Sequence, residues 1–214
     1  MHKDEKNKPS EKFRCILIFG PPGSGKGTMG RFLSQAAGLC HLSSGDIFRG
    51  LSPESAGGKL FHQYADQGLL VPDEVTIEIW HHYVTGLIAA NRYQPSQQYL
   101  LLDGIPRTVR QAEILDQYVE VSQVIFLEIA NKQKLFERLQ GRAKIEGRKD
   151  DADSDILRKR MEVYERETQA VLAHYPREVV STFNADQRPL EVLRDILNKT
   201  TDIFVSMPSA QKPT

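Results

Sequence analysis

Two cysteines in 214 residues, Cys15 and Cys40, are too few for a disulfide scaffold, match no zinc spacing and lie inside apolar stretches. They are expected to be reduced core residues. No run approaches about eighteen consecutive apolar residues, and the start of the chain, Met1-His2-Lys3-Asp4-Glu5-Lys6, lacks the hydrophobic region of a signal peptide. A cytoplasmic protein without membrane spans is expected. Charge of one sign is not in excess either, since 28 basic residues balance 28 acidic ones. That removes the electrostatic footprint of a nucleic-acid or membrane-surface binder and leaves any anion site to a local concentration of charge. No Ser-His-acid or paired-carboxylate pattern is present. The six histidines, including His81-His82, read as helix-surface or core residues rather than metal ligands.

With 40% hydrophobic residues, the chain suits one compact domain over 13–205, with polar or Pro/Ser-rich tails at 1–12 and 206–214. Its most informative stretch is Ile16-Leu17-Ile18-Phe19-Gly20-Pro21-Pro22-Gly23-Ser24-Gly25-Lys26-Gly27-Thr28. An apolar strand there runs into a glycine-rich loop with one lysine, followed by an amphipathic run (Met29, Phe32, Leu33, Ala36, Ala37). Small residues let successive N–H groups turn inward around an anion, the next helix adds the positive end of its dipole, and Lys26 reaches the outer phosphates. Gly20 and Gly25-Lys26 fit the Walker A spacing. Gly27 departs from it, because the hydroxyl comes one residue later, at Thr28.

Short apolar strands alternate with longer helical patterns, the arrangement of an α/β fold in which helices flank a parallel sheet. Strands are expected near 14–19, 40–43, 98–102, 122–128 and 179–183. Ile77, Trp80, Val84, Leu87 and Ile88 predict a helix opened by Pro72-Asp73-Glu74. Leu157, Met161, Tyr164, Thr168, Val171 and Tyr175 predict a long one opened by Asp153 or Ser154, and a last helix runs from about Pro189 to Phe204. The segments 44–72 and 142–151 carry no strand and are expected to form small lobes. Ligands on such sheets bind beyond the carboxyl ends of the strands, so the loops at Gly20, Ser43 and Asp103 should share one rim.

After the second strand, Ser43-Ser44-Gly45-Asp46 leads into a short helix with Arg49 one turn in, a hydroxyl, helix start and guanidinium suited to a second phosphate or to no more than a capped helix. Tyr99-Leu100-Leu101-Leu102-Asp103 ends an apolar strand in an acid, the Walker B arrangement that holds Mg2+ directly or through water. Arg107 and Gln111 follow at intervals of four, and a guanidinium and an amide there can meet a phosphate and a base edge. Arg138, Arg142 and Arg148 come next in a charged run, with Arg158 and Arg160 behind. Arg160 lies on the apolar side of its helix and should point inward to an anionic partner. The inventory suits phosphoryl transfer onto a phosphate: the attacking oxygen is already ionised, so charge neutralisation and alignment matter more than a general base.

At these residues the chain resembles the adenylate kinase family of nucleoside monophosphate kinases from about 14 to 200. The matching blocks are Gly20-Pro-Pro-Gly-Ser-Gly-Lys-Gly-Thr28, Ser43-Ser-Gly-Asp46 with Arg49, Leu70-Val-Pro-Asp-Glu-Val75, Leu102-Asp-Gly-Ile-Pro-Arg107, Gly141-Arg142 and Gly147-Arg-Lys-Asp-Asp151, in the family order. The resemblance implies a P-loop fold with a five-stranded parallel sheet. It divides the domain into a core (13–42, 73–140, 152–205), a monophosphate-binding lobe at 43–72 and a short lid at 141–151. It implies a monomer that moves the terminal phosphoryl group between MgATP and AMP, giving two ADP; the alternatives are a UMP/CMP kinase and a catalytically silent nucleotide-binding sensor.

Carried over by position, Gly23, Ser24, Gly25, Lys26, Gly27, Thr28, Arg138, Arg142 and Arg188 would hold ATP. Ser44, Arg49, Leu69, Leu70, Val71, Gly104, Arg107, Gln111, Arg148 and Arg160 would hold AMP. Lys26, Arg107, Arg142, Arg148 and Arg160 would act in catalysis, and Mg2+ would lie near Thr28 and Asp103, largely through water. Relatives acting on UMP or CMP tend to have alanine at Ser44 and asparagine at Gln111, so this chain favours AMP. The lid lacks the cysteine cluster of zinc-bearing relatives, so no structural zinc is expected.

Overall fold

The computed structural model describes residues 11–147 and 149–206. Its centre is β1 (Phe13–Phe19), apolar on both faces because the sheet is covered on both sides: Phe13, Cys15, Leu17 and Phe19 enter one buried cluster, Ile16 and Ile18 the other. The remaining strands are β2 (Cys40–Ser43), β3 (Leu100–Asp103), β4 (Val119–Glu128) and β5 (Val180–Asn184). All pair in parallel, in the order β2-β3-β1-β4-β5. The helices are α1 (Lys26–Ala37), α2 (Ser44–Arg49), α3 (Ala56–Ala65), α4 (Asp73–Ala89), α5 (Val109–Leu115), α6 (Lys132–Glu146), α7 (Lys149–Ala152), α8 (Ser154–Val163) and α9 (Pro189–Val205).

One cluster takes Ile77, Trp80 and Val84 of α4 with Ala112 and Leu115 of α5; the other takes Met29 and Leu33 of α1, Leu135 of α6, and Val192 and Ile196 of α9. Chain order reverses at β1, which lies between β3 and β4, so the crevice above its carboxyl end is where a doubly wound sheet holds its ligand.

Two expected elements differ in detail. β4 starts at Val119 rather than near 122, because the pairing slips: Cys15 faces Val121 while Ile16 faces Gln123. Ser122 bulges out and its hydroxyl donates to the Cys15 carbonyl at 3.1 Å, and the buried Gln123 amide donates to Ser181 Oγ at 3.0 Å. These polar residues hide the start of the strand from a hydrophobicity reading. The long helix is also not uniform. α8, capped by Asp153, stops at Val163 and continues as a π-helical turn (Tyr164–Thr168) and a 3-10 segment (Gln169–His174). A wide turn followed by a tight one preserves the buried stripe of Leu157, Met161, Thr168, Val171 and Tyr175.

No strand lies in 44–72 or in the described part of 142–151, as expected. The second segment is less of a break than expected, since α6 runs through Gly141 to Glu146 before Gly147 ends it at φ +65°.

Candidate functional site

The carboxyl ends of β1, β2 and β3 open into one cavity of about 700 Å³. Its floor is the loop from Gly20 to Gly25, which delivers α1 without a side-chain cap. Gly25 occupies the N-cap at φ +94°, and no acidic residue lies in the first turn. The first N–H groups of α1 are therefore left for an anion to satisfy. Ser24, almost fully buried, has a hydroxyl with no hydrogen-bond partner among the described residues.

Lys26 Nζ donates to the carbonyls of Gly20 at 2.7 Å and Pro21 at 3.1 Å, folded back on its own loop. Burial pushes its ammonium down from the ordinary 10.5 to about 8. Asp103 opposes that shift, while the positive charges of Arg107, Arg142 and Arg160 add to it. A site with crowded cations that depress a lysine is built for negative charge.

Facing this floor, Ser43 caps α2 by accepting from the Asp46 N–H at 3.3 Å. That releases Ser44, whose hydroxyl donates instead to the Gly104 carbonyl at 2.6 Å. The same carbonyl accepts from Arg107 Nε at 2.7 Å. Gly104 sits at φ +76°, and a Cβ there would stand 2.9 Å from Ser44 Oγ and 3.1 Å from Arg107 Nη2, so side chains from two loops close on one glycine. Arg49 Nη2 pairs with Asp46 at 2.5 Å on the cavity wall. Leu69, Leu70 and Val71 line the cavity beside them.

Arg142 and Arg160 converge on Asp151, which is fully buried: Arg142 Nε donates to Oδ2 at 2.6 Å and Arg160 Nη1 to Oδ1 at 2.5 Å. Arg160 thus has the anionic partner that its place on the helix demanded. Asp151 itself was not singled out, because in sequence it is one acid at the end of a charged run. Its loss would remove the carboxylate held between two cations, but both arginines stay partly exposed, so the cost falls below that of a fully buried pair. Asp151→Asn is expected to lower the unfolding free energy by about 2 kcal/mol in urea titration. A loss under about 0.5 kcal/mol would mean that solvent already screens the cluster.

Arg138 lines the cavity and donates to the carbonyls of Ala185 at 3.1 Å and Gln187 at 3.4 Å, which ties α6 to the loop after β5. Of that loop, Ala185, Gln187 and Pro189 face the cavity, whereas Arg188 lies on a neighbouring surface depression with Lys134 and Glu137. Arg188 is the N-cap of α9 and its N–H donates to Glu191 at 2.9 Å. The other expected site residues that the structure describes, Gly23 to Thr28, Ser44, Arg49, Leu69, Leu70, Val71, Gly104, Arg107, Gln111, Arg142 and Arg160, line the one cavity with Asp103. Arg148 lies outside the described residues.

Asp103 ends β3, 7% exposed, with Gly27 opposite: a Cβ on that glycine would lie 3.6 Å from Asp103 Oδ2. Gly27, an irregularity in the Walker spacing, therefore lies beside the carboxylate, where a Cβ would make ordinary van der Waals contact with it. His41 stands apart from the general expectation for the histidines. It is on β2, lines the cavity, and has its buried Nε2 3.8 Å from Asp103 Oδ2 without a hydrogen-bond partner among the described residues. No group of three His, Cys, Asp or Glu side chains among the described residues forms a cage. One carboxylate beside a phosphate loop fits Mg2+, a cation that keeps several waters and takes substrate phosphates as ligands.

A five-stranded parallel sheet, an uncapped glycine loop with its lysine and an acid at the end of the adjacent strand define a P-loop nucleotide-binding protein. Comparison with known proteins narrows the class. The sequence profile of the family described as Adenylate kinase matches residues 18–180. The adenylate kinase of Flavobacterium psychrophilum is 40% identical over 75% of this chain and 83% of its own length. Those of Micrococcus luteus and Clostridium acetobutylicum are 34% and 32% identical, over 92% and 88% of this chain and 98% and 99% of theirs. The chain belongs to the adenylate kinase family.

Proposed function

We propose that this protein transfers the terminal phosphoryl group of MgATP to AMP, reversibly, giving two ADP. The observation that carries the reading is the single cavity in which the phosphate loop and a second, arginine-lined pocket meet. The donor's phosphates lie on residues 23–28 with Lys26, its base between Arg138 and the Ala185–Gln187 turn. The acceptor's phosphate lies among Arg49, Arg107 and Arg160, its base against Ser44, Leu69, Leu70, Val71, Gly104 and Gln111. Thr28 and Asp103 hold Mg2+ largely through its waters, and the metal supplies charge neutralisation when bound.

No general base is needed, because the acceptor is a phosphate oxygen already ionised at neutral pH. The chain's task is to align two anions and offset their repulsion, which permanently charged, forked guanidinium groups do better than lysine. The segments 43–72 and 141–151 act as lobes that close over the nucleotides and keep water from the phosphoryl group, which would otherwise be hydrolysed. No helix among the described residues is long and apolar enough to cross a membrane; a monomeric enzyme of the cytoplasm is part of this reading and rests on membership of the family.

The reading is tested by coupled assay with ATP as donor and AMP, CMP, UMP or GMP as acceptor. AMP is expected to have the highest kcat/KM, by about two orders of magnitude or more, since a site that hydrogen-bonds one base edge leaves buried groups unpaired with another. A pyrimidine preference would favour the UMP/CMP reading, and no ADP from any acceptor would favour a silent sensor.

A second expectation concerns protons. Without nucleotide, Lys26 titrates near 8, below the ordinary 10.5, so its burial opposes folding fully below pH 8 and the penalty fades as pH rises towards 10.5. Bound phosphates add negative charge and raise that pKa. Nucleotide binding at pH 8 should therefore take up a fraction of a proton, about 0.5 at most, and ATP affinity should fall as pH rises past 8. Titration calorimetry in two buffers of different ionisation enthalpy measures the uptake. Zero uptake would mean that the phosphates do not reach Lys26.

A further inference from the structure

Gln111 is 1% exposed, and its amide is held at both ends. Oε1 accepts from the Arg107 N–H at 2.7 Å, and Nε2 donates to Asp73 Oδ1 at 2.9 Å. A backbone N–H only donates and an ionised carboxylate only accepts, so these two partners decide which way round the amide sits. Thr108 completes the set: as the N-cap of α5 its hydroxyl accepts from the Gln111 N–H at 3.0 Å and donates to the same Asp73 Oδ1 at 2.9 Å. Asp73 is the first residue of α4 and follows closely on Val71 of the cavity wall. One carboxylate oxygen thus ties the start of α4 to the start of α5 and to the amide between them.

We propose that Asp73 is a positioning residue that sets the base specificity of the acceptor pocket by fixing the orientation of Gln111. The inference rests on the AMP reading above. By taking one N–H of the amide, with Arg107 taking one side of the oxygen, Asp73 leaves one N–H and one lone pair side by side in a fixed order. Adenine matches that order, since N1 accepts and the 6-amino group donates. Hypoxanthine presents the reverse, with N1–H donating and O6 accepting. In the native site, rotating the amide sets Nε2 against the Arg107 N–H and Oε1 against the Asp73 carboxylate, so both contacts become repulsive. Without the carboxylate only the Arg107 contact resists, and the reversed amide reads hypoxanthine.

The test is steady-state phosphorylation of AMP and of IMP by the parent, Asp73→Leu, Asp73→Asn, Gln111→Met and the Asp73→Leu/Gln111→Met double variant. The parent is expected to prefer AMP. Asp73→Leu should raise the KM for AMP about tenfold and cut the AMP-to-IMP ratio of kcat/KM about tenfold, with kcat within about threefold and the KM for ATP within about twofold. Asp73→Asn, whose Oδ1 still accepts, should stay within about threefold of the parent ratio. In the Gln111→Met background, Asp73→Leu should change the ratio no further, because its effect passes through the amide. Asp73→Ala makes the same comparison if the leucine variant does not fold. An unchanged AMP-to-IMP ratio, or equal losses for both acceptors that asparagine does not restore, would overturn the inference and leave Asp73 as a helix start. A parent without preference for AMP would instead remove the acceptor reading on which it stands.

Discussion

Replacing Lys26 by methionine is expected to lower kcat by about three orders of magnitude, in line with the loss of a charged donor aimed at a developing anion. The side chain is poised rather than satisfied. It rests on the Gly20 and Pro21 carbonyls of its own loop, and its ammonium is held down to about 8 by burial, with three arginines nearby. Charge that builds on the transferring group relieves this crowding, so the interaction strengthens from ground state to transition state, the condition for acting on kcat rather than on KM alone. Methionine keeps most of the apolar stem and removes the ammonium, with its charge and its hydrogen bonds to the Gly20 and Pro21 carbonyls. The empty variant should therefore melt close to the parent's temperature, because relief of the desolvated ammonium offsets the loss of its two loop hydrogen bonds. A fall in activity with no loss of thermal stability separates this from a folding defect. A coupled assay giving kcat within about threefold of the parent would show that the loop's N–H groups and the arginines carry the transition-state charge without Lys26.

The sequence exposed the architecture more fully than the contacts that tune the site. β1 was legible because a strand buried on both faces reads as an unbroken apolar run, and the phosphate loop because glycine and lysine spacing are local properties of the backbone. The stripe from Leu157 to Tyr175 predicted the buried face but not the π-helical and 3-10 turns, since a wide turn followed by a tight one averages to ordinary helical spacing. The departure matters locally: Thr168, at the end of the π turn, donates its hydroxyl to the Arg107 carbonyl at 3.0 Å. Asp151 and Asp73 were hidden for another reason. Each looks like an ordinary acid at a helix or lid boundary, and only the fold reveals that one meets two arginines and the other an amide 38 residues away. Ser43 and Ser44 are adjacent and chemically identical, yet one caps a helix and the other joins Gly104 and Arg107; which does which follows from their directions at the end of β2. Arg188 illustrates the same limit, for its neighbours Gln187 and Pro189 face the cavity and it does not.

Arg107→Lys is expected to reduce kcat/KM for AMP by about two to three orders of magnitude while leaving the KM for ATP within about threefold. The substitution keeps the charge, so what it tests is geometry. The main chain of Arg107 is fixed on both sides, its N–H donating to Gln111 Oε1 and its carbonyl accepting from Thr168 Oγ1. Its side chain is fixed as well, by Nε donating to the Gly104 carbonyl at 2.7 Å. A guanidinium can hold that carbonyl with Nε and still present a planar fork of Nη donors to a phosphate; an ammonium is a single point and must choose. If lysine stays on Gly104 it falls short of the phosphate, and if it reaches the phosphate the carbonyl keeps only Ser44 Oγ. Either way the acceptor loses bidentate alignment, and misplacing the attacking oxygen by about 1 Å costs on the order of a hundredfold in rate. Because the loss falls on acceptor alignment, the KM for AMP and kcat should both worsen. A variant with normal kcat and raised KM for AMP would mean that Arg107 binds the acceptor equally in ground and transition states. One within about threefold on both would reduce Arg107 to an anchor for the start of α5.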